Sequence, residues 1–170
     1  GALVSGSIAS GFGTIATAAN VEMIVSLSND SPDSTVVNVD DTDETDGIDL
    51  LRFDIEAEGS DLVINDIPVL LTVEQPTVTD DVDFITNSLI LTVNGKDYSE
   101  TVTTSAGSVA TVTFDDLDIT VQEGEEVTFT VSADINDTQA SEFIDGDTLK
   151  AELTTAIVND IDADDAEGDS

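Results

Sequence analysis

The chain has 170 residues, 38 of them acidic and only three basic (Arg52, Lys96 and Lys150), for a formal net charge of −35. Nucleic acid is excluded as a partner because phosphate binding needs the Lys and Arg that are missing here, and an anionic membrane surface is disfavoured for the same reason. The chain also has no His and no Cys, which removes most general bases, nucleophiles and soft metal ligands; no catalytic residue is assigned and no enzyme is expected.

A chain of this length suits one domain that buries about 70% of its unfolded surface. Its apolar residues are mainly Val, Ile, Leu and Ala, with no Trp, one Tyr and six Phe, a composition suited to many thin β-branched strands. Disulfides are impossible without cysteine. The Thr, Ser, Asp and Val bias and the scarcity of Lys point to an exported, cell-surface protein.

The first 19 residues, GALVSGSIASGFGTIATAA, carry no charge at all. They are too rich in Gly, Ser and Thr to read as a membrane span, and they lack the positive leading region of a signal peptide. As an extended strand, Val4, Gly6, Ile8, Ser10 and Phe12 share one face. As a helix, Val4, Ile8, Phe12, Ile15 and Ala19 share one, so an inserted strand, a helix and a flexible or self-pairing strand all remain open. Gly and Ser weaken an isolated helix and suit a strand threading a tight groove, where small residues permit close backbone approach.

From Val21 the pattern turns to period two, the mark of strands with one buried face. Val21, Met23, Val25 and Leu27 alternate first, then Leu51, Phe53, Ile55 and Ala57. The run from Leu62 to Val73 is interrupted by Pro68, which predicts an edge position or a bulge. Leu89, Leu91 and Val93 lead into Asn94-Gly95, a strong hairpin signal, and the chain returns from Tyr98 to Val102. Val112 and Phe114, then Leu117, Ile119 and Val121, precede a turn at Glu123-Gly124. Val127, Phe129, Val131, Ala133 and Ile135 follow, and Leu149, Ala151 and Leu153 make the last predicted strand. Eight or nine strands without a convincing amphipathic helix predict an all-β fold, an immunoglobulin-like or jelly-roll β-sandwich. Arg52 and Lys150 alternate outward from their apolar neighbours, so outward ion pairs are expected of them.

Acid collects between the strands, and its oxygen donors are what calcium needs. Asp41, Asp43 and Asp46, with Gly47 for a turn, are candidate ligands, as are Asp160, Asp162 and Asp164. No Gly at the sixth position or Glu at the twelfth completes a calcium-hand loop, so solvated acidic loops are the competing reading. Asn29-Asp30-Ser31 and Asn136-Asp137-Thr138 are glycosylation sequons if the chain is secreted. The organisation expected is an uncharged arm over residues 1–19, a sandwich over 20–158 and an acidic C-terminal segment over 159–170.

An uncharged N-terminal arm, a Cys-free sandwich and acidic loops together resemble donor-strand-complemented extracellular filament subunits, the TasA and camelysin-like biofilm fibres and the archaeal bundling pilins. The stretches Val25-Ser-Leu-Ser-Asn-Asp-Ser-Pro and Leu50-Leu-Arg-Phe-Asp-Ile-Glu-Ala are similar to surface-protein domains of environmental bacteria. The resemblance implies a subunit whose N-terminal strand, residues 3–15 with Val4, Ile8, Phe12 and Ile15, inserts into the sandwich of the next copy. Its partners would then be copies of itself. The alternative is a non-polymerising surface-layer or adhesin module that binds calcium and cell-surface glycans; a pilin head on a helical stem is a third reading.

Overall fold

Alternating burial along each segment requires a second layer to cover the apolar face, and the chain supplies both layers. The computed structural model describes residues 21–74, 81–103, 107–138, 146–166 and 168 in full and residues 2–8 and 14–17 as backbone strands; within these the chain is a two-sheet β-sandwich. One sheet runs in the order β2 (Thr14–Thr17), β3 (Val21–Leu27), β5 (Thr45–Glu58), β11 (Glu126–Ile135), β7 (Thr86–Val93), β8 (Lys96–Thr101), and all its neighbours are antiparallel. Val21, Met23 and Val25 of β3, Leu51, Phe53, Ile55 and Ala57 of β5, and Phe129, Val131, Ala133 and Ile135 of β11 are buried as the alternation predicts, whereas Leu27 at the end of β3 is 44% exposed and Val127 at the start of β11 is half-buried. Phe53 and Phe129 stand directly opposite in the β5–β11 ladder, fully buried, with ring centroids 5.2 Å apart and planes 9° from parallel. Leu50 is buried beside Leu51 because the register shifts between Val131 and Ser132. That bulge places two β5 residues against one step of β11.

The β7–β8 hairpin turns at Asn94 and Gly95, with φ of 53° and 75°. Positive φ at both central residues is the type I′ requirement, which the Asn-Gly pair meets at low cost.

The other sheet is organised around β6 (Leu62–Glu74). Its first half pairs with β10 (Ile119–Val121) on one side and β13 (Asp162–Asp165) on the other; its second half pairs with β9 (Val109–Phe114) and β12 (Thr148–Leu153). Pro68 is therefore in a central strand, which corrects the expectation of an edge. It is accommodated because β13 pairs only as far as Asp66 and β12 only from Leu70, leaving Ile67 to Val69 without a ladder partner on that side. Helix α2 (Thr155–Asn159) connects the two strands beside this gap and turns Ile157 and Val158 into the core, its first turn closed by Thr154 Oγ1 accepting from the Ile157 N–H.

Within the acidic C-terminal segment, Asp162 to Asp165 thus form a strand of the sandwich. Ala163 and Asp165 are buried in β13 while Asp162 faces out. Helix α1 (Val82–Ile85) likewise precedes β7 and buries Val82 and Ile85.

Candidate functional site

Residues Ala2–Ile8 form β1, and the sheet order places it between β12 and β4 (Thr35–Val37). It runs parallel to β12, with Leu3 opposite Thr148, Ser5 opposite Lys150, Gly6 opposite Ala151 and Ile8 opposite Leu153. Against β4 it is antiparallel, with Leu3 opposite Val36. Val4, Gly6 and Ile8 fall in register with Leu149, Ala151 and Leu153, the fully buried face of β12.

The slot has unequal walls. β12 is an internal strand held on its far side by β6, whereas β4 has three residues and, among the described residues, no ladder partner other than β1. Val36 of β4 is 67% exposed, among the most exposed large apolar side chains described. Among the described residues the ladders of β1 run to β12 and β4, neither of which is its neighbour in sequence.

The predicted arm does not remain one strand. β1 ends at Ile8, and Ile15 lies in β2, opposite Met23 in the other sheet. Val4 and Ile8 are therefore brought to one strand and Ile15 is separated from them, because the chain changes layers between the two. Phe12 lies outside the described residues. Neither described piece is helical.

The acidic candidates are dispersed. In the loop before β5, the Asp40 carboxylate accepts from the Thr42 N–H at 2.8 Å, the Asp43 N–H at 3.2 Å and the Thr42 hydroxyl at 3.1 Å. These donors, the Thr42 amide foremost, hold its carboxyl below the usual range. Asp41 accepts from the Thr138 hydroxyl at 3.0 Å, while Asp43 and Asp46 point to solvent. Asp160 caps α2, Asp162 stands opposite Asp66, and Asp164 accepts from the Asn65 amide at 2.9 Å. Among the described residues no three carboxylates converge on a point where a cation could sit.

The two sequons differ. Asn29 is exposed in the turn after β3. Asn136 is buried, its Nδ2 donating to the carbonyls of Asp83 and Phe84 at 3.0 Å each and its Oδ1 accepting from Asn87 at 2.8 Å. That corrects the sequon reading: the amide nitrogen a glycan would occupy clasps α1 to the end of β11. Nothing in the tripeptide distinguishes these fates.

Each basic residue is engaged. Arg52 Nη2 lies 2.6 Å from Asp49, Lys150 Nζ 2.5 Å from Glu152, and Lys96 Nζ 4.1 Å from the centre of the Tyr98 ring and 2.9 Å from its hydroxyl. Elsewhere acid faces acid: Glu22 stands opposite Glu58 and Glu56 opposite Glu126 on adjacent strands. A cleft of about 380 Å³ lies over the turn from Leu27 to Ser34, lined by Leu27, Pro32 and Asp33 and by the uncharged polar residues Ser28, Asn29, Ser31 and Ser34.

No helix among the described residues is long and apolar enough to cross a membrane. No protein-family model, no curated protein and no solved structure matches the chain.

Proposed function

We propose that this protein is a non-enzymatic structural subunit of an extracellular filament, polymerising head-to-tail when the N-terminal strand of one copy completes the sandwich of the next. The observation that carries the reading is the placement of β1. It is an uncharged strand in a chain of net charge −35, held in its sheet by ladders to β12 and β4, neither of which is its neighbour in sequence. Strand addition to an open edge draws its affinity from main-chain hydrogen bonds, and a head-to-tail contact of this kind propagates into a fibre.

Charge sets a condition on assembly. Subunits this acidic repel one another unless salt or divalent cations screen them, so filaments should weaken in low salt with chelator. A second reading, a surface module that does not polymerise and takes a polar ligand such as a glycan, draws on the cleft at Leu27 to Ser34.

Electron microscopy of the full chain beside a variant lacking residues 1–8, both at physiological salt with calcium, tests the proposal. Filaments from the full chain and single particles from the variant are expected. Single particles from both would overturn the filament reading in favour of the surface module.

A further inference from the structure

One edge of the sandwich is both long and uncharged. Among the described residues six strands have a ladder on one side only. Of these, β2, β4, β10 and β13 have four residues or fewer, and β8 carries Lys96, Asp97 and Glu100. The sixth, β9, has the sequence VATVTF, without charge, Pro or Gly, and pairs with β6 in unbroken register. Its outward side chains, Val109, Thr111 and Thr113, are exposed, and Thr101 to Phe114 is the longest uncharged stretch after Val21. Short length and charge are the devices that keep an open edge from pairing, and β9 has neither. We infer that β9 is a docking edge whose occupant is the β9 of a second copy, antiparallel to it about a two-fold axis at Thr111.

The register follows from which backbone groups β6 leaves unused. The Val73 N–H donates to the Ser108 carbonyl at 2.7 Å, and the ladder continues with Leu71 opposite Ala110 and Val69 opposite Val112. In an antiparallel pair the residues that bond the partner alternate with residues whose N–H and C=O turn away. Ser108, Ala110, Val112 and Phe114 therefore bond β6, and Val109, Thr111 and Thr113 direct their backbone groups to the open side, where no strand among the described residues meets them. Centring two copies on Thr111 sets Thr111 opposite Thr111 and Val109 opposite Thr113. Every backbone donor and acceptor of these three residues then meets its counterpart, and inward side chains stay on the core face of both sandwiches.

The charge pattern selects the occupant. A strand added to an edge lies about 4.8 Å away, where like charges directly opposite are destabilising. A cationic partner would find no acid on β9 to pair with, whereas a second chain of net charge −35 can come this close only along an uncharged stretch. The flanking acid also clears the partner: in the Thr111-centred register Asp115 falls level with Gly107 of the second copy, inside its uncharged stretch. A two-fold contact closes after two copies, so it makes a dimer and is separate from head-to-tail assembly.

The chain has no cysteine, so Thr111→Cys carries a single thiol. Across the axis two such residues have Cα atoms about 5.5 Å apart, within the span of a disulfide, whereas the Val109 residues of the two copies lie four strand steps apart, about 13 Å. Mild oxidation in 1 M salt, where the screening length is about 3 Å, is expected to convert Thr111→Cys to a covalent dimer on a denaturing gel about tenfold faster than Val109→Cys or Thr113→Cys alone. Val109→Cys combined with Thr113→Cys should crosslink as readily as Thr111→Cys. All these sites are exposed, so the substitutions leave the core intact. Equal rates for the three single variants, or no dimer from any of them, would overturn the pairing, as would a double variant no faster than its parents. The gel counts covalent species whether or not the chain also forms filaments, so failure here leaves the filament reading standing.

Discussion

The centre of the β5–β11–β7 sheet and the β12–β1–β4 edge are both hydrogen-bonded ladders, yet they differ in extent. At the centre, β11 pairs along nearly its whole length on both sides, and Phe53 and Phe129 stack in the core. At the edge, seven residues of β1 bridge a six-residue strand and a three-residue one. Burial of the stacked rings anchors the centre, whereas the edge ends on β4, a three-residue strand whose Val36 is largely exposed.

Breaking the centre should have the largest effect. Phe53→Ala removes one partner of the stack from a fully buried site and should cost about 3–5 kcal/mol, read as a fall in the urea midpoint. That is a large share of the stability of a single domain. A loss below about 1 kcal/mol would mean that the stacked pair does not anchor the core.

A smaller loss is expected where the core depends on a polar clasp. Asn136→Ala leaves the Asp83 and Phe84 carbonyls and the Asn87 amide without their partner, at a cost of about 1–3 kcal/mol. Thermal unfolding measures it, and an unchanged midpoint would show that water replaces the side chain without penalty.

The smallest effect sharpens the comparison by changing charge alone. Glu56→Gln on β5 relieves repulsion with Glu126 opposite and should stabilise the sheet by about 0.2–1 kcal/mol in low salt. The gain should fade toward 1 M salt, where the screening length shrinks to about 3 Å. A gain that is independent of salt would point to packing and not repulsion.

Much of the fold was legible because strand alternation is written locally. Val21 to Leu27, Leu51 to Ala57 and Val127 to Ile135 repeat every second residue, and Asn94-Gly95 marks its own turn by tolerating positive φ. The acidic strand β13 was hidden because its outward residues are Asp and its one inward apolar residue is Ala163, too weak an alternation to stand out from a loop. Pro68 misled because a missing N–H is usually tolerated at an edge, and here a gap between two partner strands provides the same relief. The candidate site was half legible. The absence of charge singled out residues 1–19, but nothing local divides that segment at Ile8 or sends Ile15 to the opposite sheet.

By itself the sequence determined the all-β character, the alternation that sorts inward from outward residues, and a formal net charge of −35. Only the tertiary structure decided that Leu3 lies beside Thr148, that Asn136 faces inward while Asn29 faces water, and that the acidic end joins β6. The reason is physical: which face of a strand is apolar is a property of adjacent residues, but which strand it pairs with depends on edges left open by segments far along the chain.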